Sequence, residues 1–497
     1  MKRAIIIACW AGLVAAGAFL RFDDLAARPF HADEATGARI AARRMDSGGA
    51  AFDPKHYHGP LLADLAIPLC RARGEKGWRD MTKGALRMIP AAAGTLLVLL
   101  PLLGRRRFGD PPMLLAAAFL ATSPLLVYYS RMFIHEPLLA LFGMALLFSP
   151  CGRARARGAP GILLGLMYAT KESCAISVIA WAGAGAILAL ENQKSIERTA
   201  LRRCVLPAAL SAGAFILTAG LFYTDGLAHP RGAIDALRTF FVYETVEGHD
   251  KPFGWYFQLL ALPMKSAGIW WFGTPVLLLA LLAYASTFRG NHPSGSRGFI
   301  RFLAYSAAGH FLIYGLIAYK TPWLACLPWA HVCLLAGFAF AGQGGIARAA
   351  LTALAVFGIF TQFQQARAAG GRLASDERNP FAYVPTRPDI ERLETWLGEV
   401  RKAAPAGMLE PVAVTGSGYW PLPWYLRAFE NTGYWSEPPP DLAEFPLVFS
   451  MPETADAVTR ALAKTHVWLP RGLRAGVPLH VFVRNDVWEL WMETGSR

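Results

Sequence analysis

The stretch FHADEATGARIAARR (Phe30–Arg44) decides how the chain is to be read. It follows MKRAIIIACWAGLVAAGAFL (Met1–Leu20), an apolar run about one membrane span long. Two adjacent carboxylates, Asp33 and Glu34, with His31 just before them, therefore stand at a membrane edge. Neighbouring residues on a helix are about 100° apart, so both cannot enter one pocket from a regular helix. One faces a substrate while the other caps or pairs. A structural use competes with this, since acidic side chains in a first helical turn complement the helix dipole.

Working outward, the Met1–Leu20 run has the charged start and apolar body of a signal peptide, and AAGA resembles a cleavage site. We expect an uncleaved anchor, because many more apolar runs follow; Asp33 stays on the same side either way. The chain has 497 residues, 54% hydrophobic and only 17% charged, with mean hydropathy +0.32. Soluble domains carry roughly 25% charged residues, so a membrane protein is indicated. The net charge of +14 comes from short basic clusters between apolar runs. That is the pattern of cytoplasmic turns and not of a nucleic-acid-binding face. Seven cysteines show no paired spacing and read as small buried hydrophobes.

Apolar runs near residues 4–20, 88–103, 112–129, 137–150, 160–170, 174–190, 204–222, 269–288, 299–317, 324–341 and 347–364 predict about eleven transmembrane helices. The 160–190 region is read as two spans broken at Thr170-Lys171-Glu172. With the N-terminus inside, the inward turns are then Arg105–Arg107, Arg153/Arg155/Arg157, Lys194–Arg203, Arg289–Arg301 and the turn with Arg348, all of them basic. Outside lie the loops 21–87 and 223–268 and a tail from about 366 to 497. The first loop holds two amphipathic helices, around 33–46 and 61–72, suited to the interface plane. The tail reads as a small α/β domain. DIERLETWLGEVRKA puts Ile390, Leu393, Leu397 and Val400 on one helical face, and PVAVTG, FPLVFS and LHVFVRN are strand-like. The expected fold is thus a mainly α polytopic membrane domain, 1–365, followed by an extracytoplasmic α/β domain, 366–497. No internal repeat of the transporter kind is evident.

Three outward turns each carry one basic residue: Arg131 in YYSRMFIHEP, Lys171 in YATKES and Lys320 in AYKTPW. A cation at the membrane interface needs an anion, supplied by Glu136 or Glu172 or by a lipid phosphate; simple snorkelling is the alternative. Glu136 precedes Pro137 at a helix start, where both are expected on stability grounds alone. His56 and His58, two apart and beside carboxylates, are a candidate pair for a divalent metal. No second ligand set supports them, and Gly59-Pro60 argues for a turn. The run Tyr419–Tyr425 is dense in aromatics; it stacks on sugar rings or packs the tail domain, and packing is expected.

These elements resemble the GT-C superfamily of integral-membrane glycosyltransferases. HADEA at 31–35 is similar to its acidic motif, and YHGPLL (57–62) and ALRMIPAAAG (85–94) to the elements leading into the second span. The likeness is to the protein mannosyltransferase and aminoarabinose transferase group, and most to a flippase-associated branch of archaeal protein glycosylation. That branch is similar in SPLLVYYSRMFIHEP (123–137), ATKE (169–172), YKTPW (319–323) and WPLPWYLR (420–427), nearly the whole length of the chain. Glu172 stands where the better-known branches have glycine. The resemblance implies a polyprenyl-phosphate-sugar donor and a lipid, glycan or protein acceptor. Asp33 would be the base and Glu34 a second catalytic carboxylate that positions the basic side chains or the acceptor; Arg131, Lys171 and Lys320 would face the donor phosphate, and Glu136, Glu172 and His58 would support them. It implies no certain cofactor, although a divalent metal is compatible, and inversion at the sugar. A lipid-linked-sugar flippase or a non-catalytic member of a glycosylation complex are the alternatives.

Overall fold

The computed structural model describes residues 2–47, 49, 51–149, 158–191, 198–243, 248–289, 296–340, 343–405 and 407–495. Helix α1 (Lys2–Phe22) leads into α2 (Ala32–Asp46), α3 (Leu61–Ala72), α4 (Lys83–Leu99) and α5 (Pro101–Phe108). Then come α6 (Asp110–Thr122), α7 (Pro124–Ser130), α8 (Glu136–Leu147), α9 (Ala159–Thr170), α10 (Cys174–Glu191) and α11 (Arg198–Tyr223). Short helices α12 (Gly232–Val242) and α13 (Trp255–Leu260) and a hairpin, β1 (Met264–Ser266) and β2 (Ile269–Trp271), precede α14 (Thr274–Ser286), α15 (Ser296–Leu316), α16 (Cys326–Ala336) and α17 (Gly345–Gly370).

Six of these stretches are long and apolar enough to cross a membrane, and α6 with α7 makes a seventh, bent by 57°. Four shorter apolar helices fill the remaining runs, so every apolar run seen in the sequence is helical over most of its length. The bend follows from Ser123-Pro124. A residue before proline avoids the helical region, and Ser123 sits at ψ 118° while its hydroxyl caps the Leu126 N–H. The break at 171–173 is real: α9 ends at Thr170 and Lys171 is extended, φ −160° and ψ 134°. One run departs from expectation, since residues 269–271 form strand β2 and the helix starts only at Thr274, with Pro275 in its first turn. Of the expected basic turns, Arg153, Arg155, Arg157 and Lys194 lie outside the described residues.

The tail begins with α18 (Asp389–Ala403), whose Ile390, Leu393, Leu397 and Val400 are all buried. Strands β3 (Val412–Thr415), β4 (Thr432–Trp435), β5 (Leu447–Ser450), β6 (His466–Arg474) and β7 (Val477–Arg484) form one sheet in the order β4-β3-β5-β7-β6. β3 runs parallel to β4 and β5, and β7 antiparallel to β5 and β6. Short α19 (Leu422–Tyr425) follows β3, while α20 (Pro452–Leu462) and α21 (Asn485–Gly495) complete the tail.

The tail sits on the first loop through a shared core. Phe30 packs on Trp424 with ring centroids 4.2 Å apart, and the Phe30 N–H donates to the Tyr425 hydroxyl at 2.7 Å. Lys83 pairs with Glu391 at 2.8 Å across the same seam. The segment just before Asp33 is thereby fixed between membrane helices and sheet.

Candidate functional site

His31 caps α2. Its imidazole accepts from the Asp33 N–H, and the Glu34 carboxylate accepts from the His31 N–H at 3.0 Å, a reciprocal capping arrangement. The structure divides the acidic pair as helix geometry demands. Glu34 is wholly buried; Arg87 donates to it twice, at 2.7 and 2.8 Å, and the Phe133 N–H once, at 2.8 Å. Burial pushes this carboxyl up, but the Arg87 guanidinium outweighs burial and, with Arg28 and the His31 N–H, holds it at about 2. Arg87 also donates to the carbonyls of Leu25, Arg28 and Pro29. Glu34 therefore anchors the loop, and its oxygens are taken. Asp33, one residue earlier, keeps a side chain 52% exposed, with Oδ2 3.8 Å from His31 Nδ1.

Four groups missing from the sequence reading lie within electrostatic reach of Asp33: Tyr243, His249, Tyr319 and, from β6, Arg474. His249 Nδ1 bonds the Tyr383 hydroxyl, and the Tyr383 carbonyl meets His31 Nε2 at 3.1 Å. Burial pushes the His249 imidazole down, and Asp33 opposes that shift. Nothing in spacing or periodicity marks these residues, because Tyr243 and His249 come from the connection between α12 and α13, Tyr319 from the one after α15 and Arg474 from the end of β6.

Beside them, Lys171 Nζ lies 2.7 Å from Glu136 Oε1, both side chains nearly buried. Burial favours loss of the Lys171 proton, yet Glu136 and then Glu172 hold it well above the usual range. Glu172 pairs instead with His58, at 3.1 Å from Nδ1, and the Tyr243 hydroxyl lies 3.2 Å from His58 Nε2. Burial raises the Glu172 carboxyl, but His58 and Lys171 bring it to about 2. Tyr243 joins this cluster to Asp33, since its hydroxyl feels Lys171, Glu172 and Asp33 together. Gly59 makes the approach possible, because a Cβ there would lie 2.1 Å from the Ala169 carbonyl oxygen. The end of α9, just before Lys171, is thus held against the first loop by backbone contact.

Two expected phosphate ligands are placed elsewhere. Arg131 follows α7 and donates to the Leu20 and Asp24 carbonyls at 3.1 and 3.2 Å. Burial, with Arg28 and Arg87 nearby, lowers it to about 10; its cavity is shared with Arg28, Arg367 and Arg372, not with Lys171. Lys320 is buried, with Nζ donating to the carbonyls of Lys251 and Ile317, while its N–H bonds the His249 carbonyl. It clamps the segment that carries His249. The candidate metal pair also separates: His56 binds Asp53 at 2.9 Å, while His58 faces Glu172. Among the described residues no group of three or more His, Cys, Asp or Glu is placed to hold a metal ion.

The fold has solved counterparts. ArnT from Cupriavidus metallidurans in the apo state matches with TM-score 0.65 at 14% identity, over 98% of this chain and 99% of that one. The chain has the GT-C fold. The same GT-C protein bound to undecaprenyl phosphate matches with TM-score 0.62 at 13% identity, over 96% and 98%. The archaeal oligosaccharyltransferase AglB from Archaeoglobus fulgidus, in complex with an inhibitory peptide and a dolichol-phosphate, matches with TM-score 0.55 at 14% identity, over 94% of this chain and 73% of that one. No family model matches the sequence, and no curated protein does. The GT-C likeness therefore lives in three-dimensional arrangement, with the sequence itself far diverged.

Proposed function

We propose that this protein is a glycosyltransferase that moves a sugar from a polyprenyl-phosphate carrier to an acceptor hydroxyl on the extracytoplasmic side of an integral-membrane domain. The observation that carries the reading is the division of labour at α2: Glu34 is locked in a buried ion pair, which leaves Asp33 as the half-exposed carboxylate near the paired Lys171–Glu136 and His58–Glu172 side chains. Solved proteins of the same fold bind undecaprenyl phosphate and dolichol-phosphate.

Asp33 takes the proton of the acceptor hydroxyl, whose oxygen attacks the anomeric carbon. The bond from that carbon to the carrier's phosphate oxygen breaks, and its electron pair leaves on the phosphate. Lys171, kept charged by Glu136 and Glu172, faces that developing charge, and His58, whose imidazole is gripped at both nitrogens, supports it by holding Glu172. One displacement inverts the sugar. Arg131 and Lys320 act as positioning residues, since backbone carbonyls already hold their N–H groups. AglB, of the same fold, has been solved with zinc and sulfate, and a divalent metal is compatible with this reading.

The test is transfer from lipid-linked sugar by Asp33→Asn in lipid nanodiscs, with thermal unfolding as the folding control. Loss of transfer at unchanged stability supports the assignment. Normal turnover by the Asn variant removes Asp33 as the base, and absence of transfer by the wild type leaves a flippase or a docking component.

A further inference from the structure

The cavity at Arg131, with a volume of about 820 Å³, opens where α1 and α17 end, at the end of the helical domain that carries Asp33. Both helices are long and apolar enough to cross a membrane. Their ends therefore mark the plane where hydrocarbon gives way to headgroups. Phe19 and Leu20, in the last turn of α1, are part of its apolar lining, and Phe19 is 50% exposed. Arg372 and Ser375 line it from the segment that leads into the tail.

Its charges are of both signs, and most of them are not spent on each other. Arg28, Arg131, Arg367 and Arg372 line it together with Asp23, Asp24 and Glu391. Glu391 is already engaged, by Lys83 and by the Tyr425 hydroxyl, each at 2.8 Å. Asp23 and Asp24 are exposed and within electrostatic reach of Arg131, yet among the described residues their carboxylates make no hydrogen bond or ion pair. The guanidiniums of Arg367 and Arg372 are exposed and equally unpaired among the described residues. Arg131 is fixed by the Leu20 and Asp24 carbonyls, and Gly370 lets α17 close on it, since a Cβ there would lie 3.0 Å from Arg131 Cδ.

A bare anion here would meet the guanidiniums but also two open carboxylates and the negative, C-terminal ends of α1 and α17. A bare cation would meet the reverse. A headgroup that carries a phosphate and a primary ammonium side by side satisfies both, because guanidinium forks suit phosphate oxygens and an ammonium has three N–H donors for carboxylates and terminal carbonyls. We propose that this cavity is a specific site for a zwitterionic phospholipid with a primary ammonium. The phosphate lies on Arg131, Arg367 and Arg372, the ammonium on Asp23 and Asp24, and the acyl chains stay in the bilayer beside Phe19. The site is separate from the Lys171 cluster and stands whether or not Asp33 is the base. Arg28 donates to the Arg131 carbonyl at 2.9 Å and lies 3.8 Å from Glu34, so a lipid held there braces the anchor of the segment before α2.

Full-length protein in detergent is titrated with dioleoyl phosphatidylethanolamine, phosphatidylcholine or phosphatidylglycerol, and bound lipid is counted by native mass spectrometry. Phosphatidylcholine keeps both charges but has no ammonium N–H, and phosphatidylglycerol keeps the phosphate without a cation. One phosphatidylethanolamine is expected to bind about tenfold more tightly than either, the scale of one charge-assisted hydrogen bond. Arg367→Gln with Arg372→Gln should weaken it about tenfold or more. Asp23→Asn with Asp24→Asn should reverse the preference and make phosphatidylglycerol the tighter ligand. All four side chains are exposed, so the unfolding midpoint without added lipid should stay at the wild-type value. Arg348→Gln, an exposed arginine at the other end of α17, binds as wild type. Tighter binding of phosphatidylglycerol to the wild type overturns the proposal in favour of a plain anion site. Equal binding of the three lipids, absence of a retained lipid, or binding indifferent to both double variants overturns it outright.

Discussion

Arg87 grips Glu34 at 2.7 and 2.8 Å with both side chains fully buried, and the same guanidinium gathers three carbonyls of the segment that leads into α2. A buried ion pair is weak evidence of net stabilisation, but breaking it from one side leaves the buried Glu34 charge to two backbone N–H groups and Arg28 at 3.8 Å. Arg87→Met is therefore expected to cost about 3–5 kcal/mol. Thermal unfolding in detergent reads this directly, and an unshifted midpoint would contradict the anchoring role.

Lys171 and Glu136 should separate stability from chemistry. Glu136→Gln leaves the buried ammonium without its nearest carboxylate and should lower the unfolding midpoint, while Glu172 keeps Lys171 charged. Lys171→Gln removes the cation itself and should slow transfer by about 10²–10³-fold, the scale of one lost transition-state donor. Wild-type turnover by Lys171→Gln would remove Lys171 from the reaction.

Gly59 offers a steric test of the seam between the first loop and the 171–173 break. A Cβ there would lie 2.1 Å from the Ala169 oxygen and 2.5 Å from its carbon, and backbone cannot yield cheaply. Gly59→Ala should destabilise by about 1–3 kcal/mol and part His58 from Glu172, so unfolding midpoint and turnover fall together. Gly84→Ala, where nothing lies within 4 Å, is the control.

Stability should depend on pH from two sides. Glu34 and Glu172, ordinarily at 4.5, are held at about 2 in the fold. The unfolded chain takes up their protons first, so the stability they confer is complete above about pH 4.5 and is lost as pH falls toward 2. Asp64 has the opposite sign. Burial raises it from 3.8 to about 6 against the pull of Arg44, with Asp225 adding to the rise. The folded chain then holds the proton longer, and stability declines as pH rises from about 4 to 6. Unfolding midpoints across that range should flatten on the upper side in Asp64→Asn and on the acid side in Glu172→Gln.

Much of the architecture is legible because span-length apolar runs and basic turns are local signals. The break at Lys171, the helices 32–46 and 61–72 and the helical face of Ile390, Leu393, Leu397 and Val400 all follow from periodicity and charge. Residues 269–271 mislead for the same reason, since a hydrophobic run does not distinguish strand from helix. The site is less legible. That Asp33 and Glu34 diverge is required by helix geometry, but which one is buried depends on Arg87, 53 residues away. Arg131 and Lys320 look like free cations in sequence because backbone carbonyls, their actual partners, carry no sequence signature. Tyr243, His249, Tyr383 and Arg474 converge only once the tail folds back on the first loop.

The central claim is that Asp33 deprotonates the acceptor while the donor's phosphate stays with the membrane. Its most direct test is mass spectrometry of the lipids that co-purify with wild type and with Asp33→Asn in native lipid particles. The account predicts glycosylated polyprenyl phosphate enriched on the Asn variant and bare carrier phosphate on wild type. The same glycosylated lipid on both, in equal amount, would contradict it.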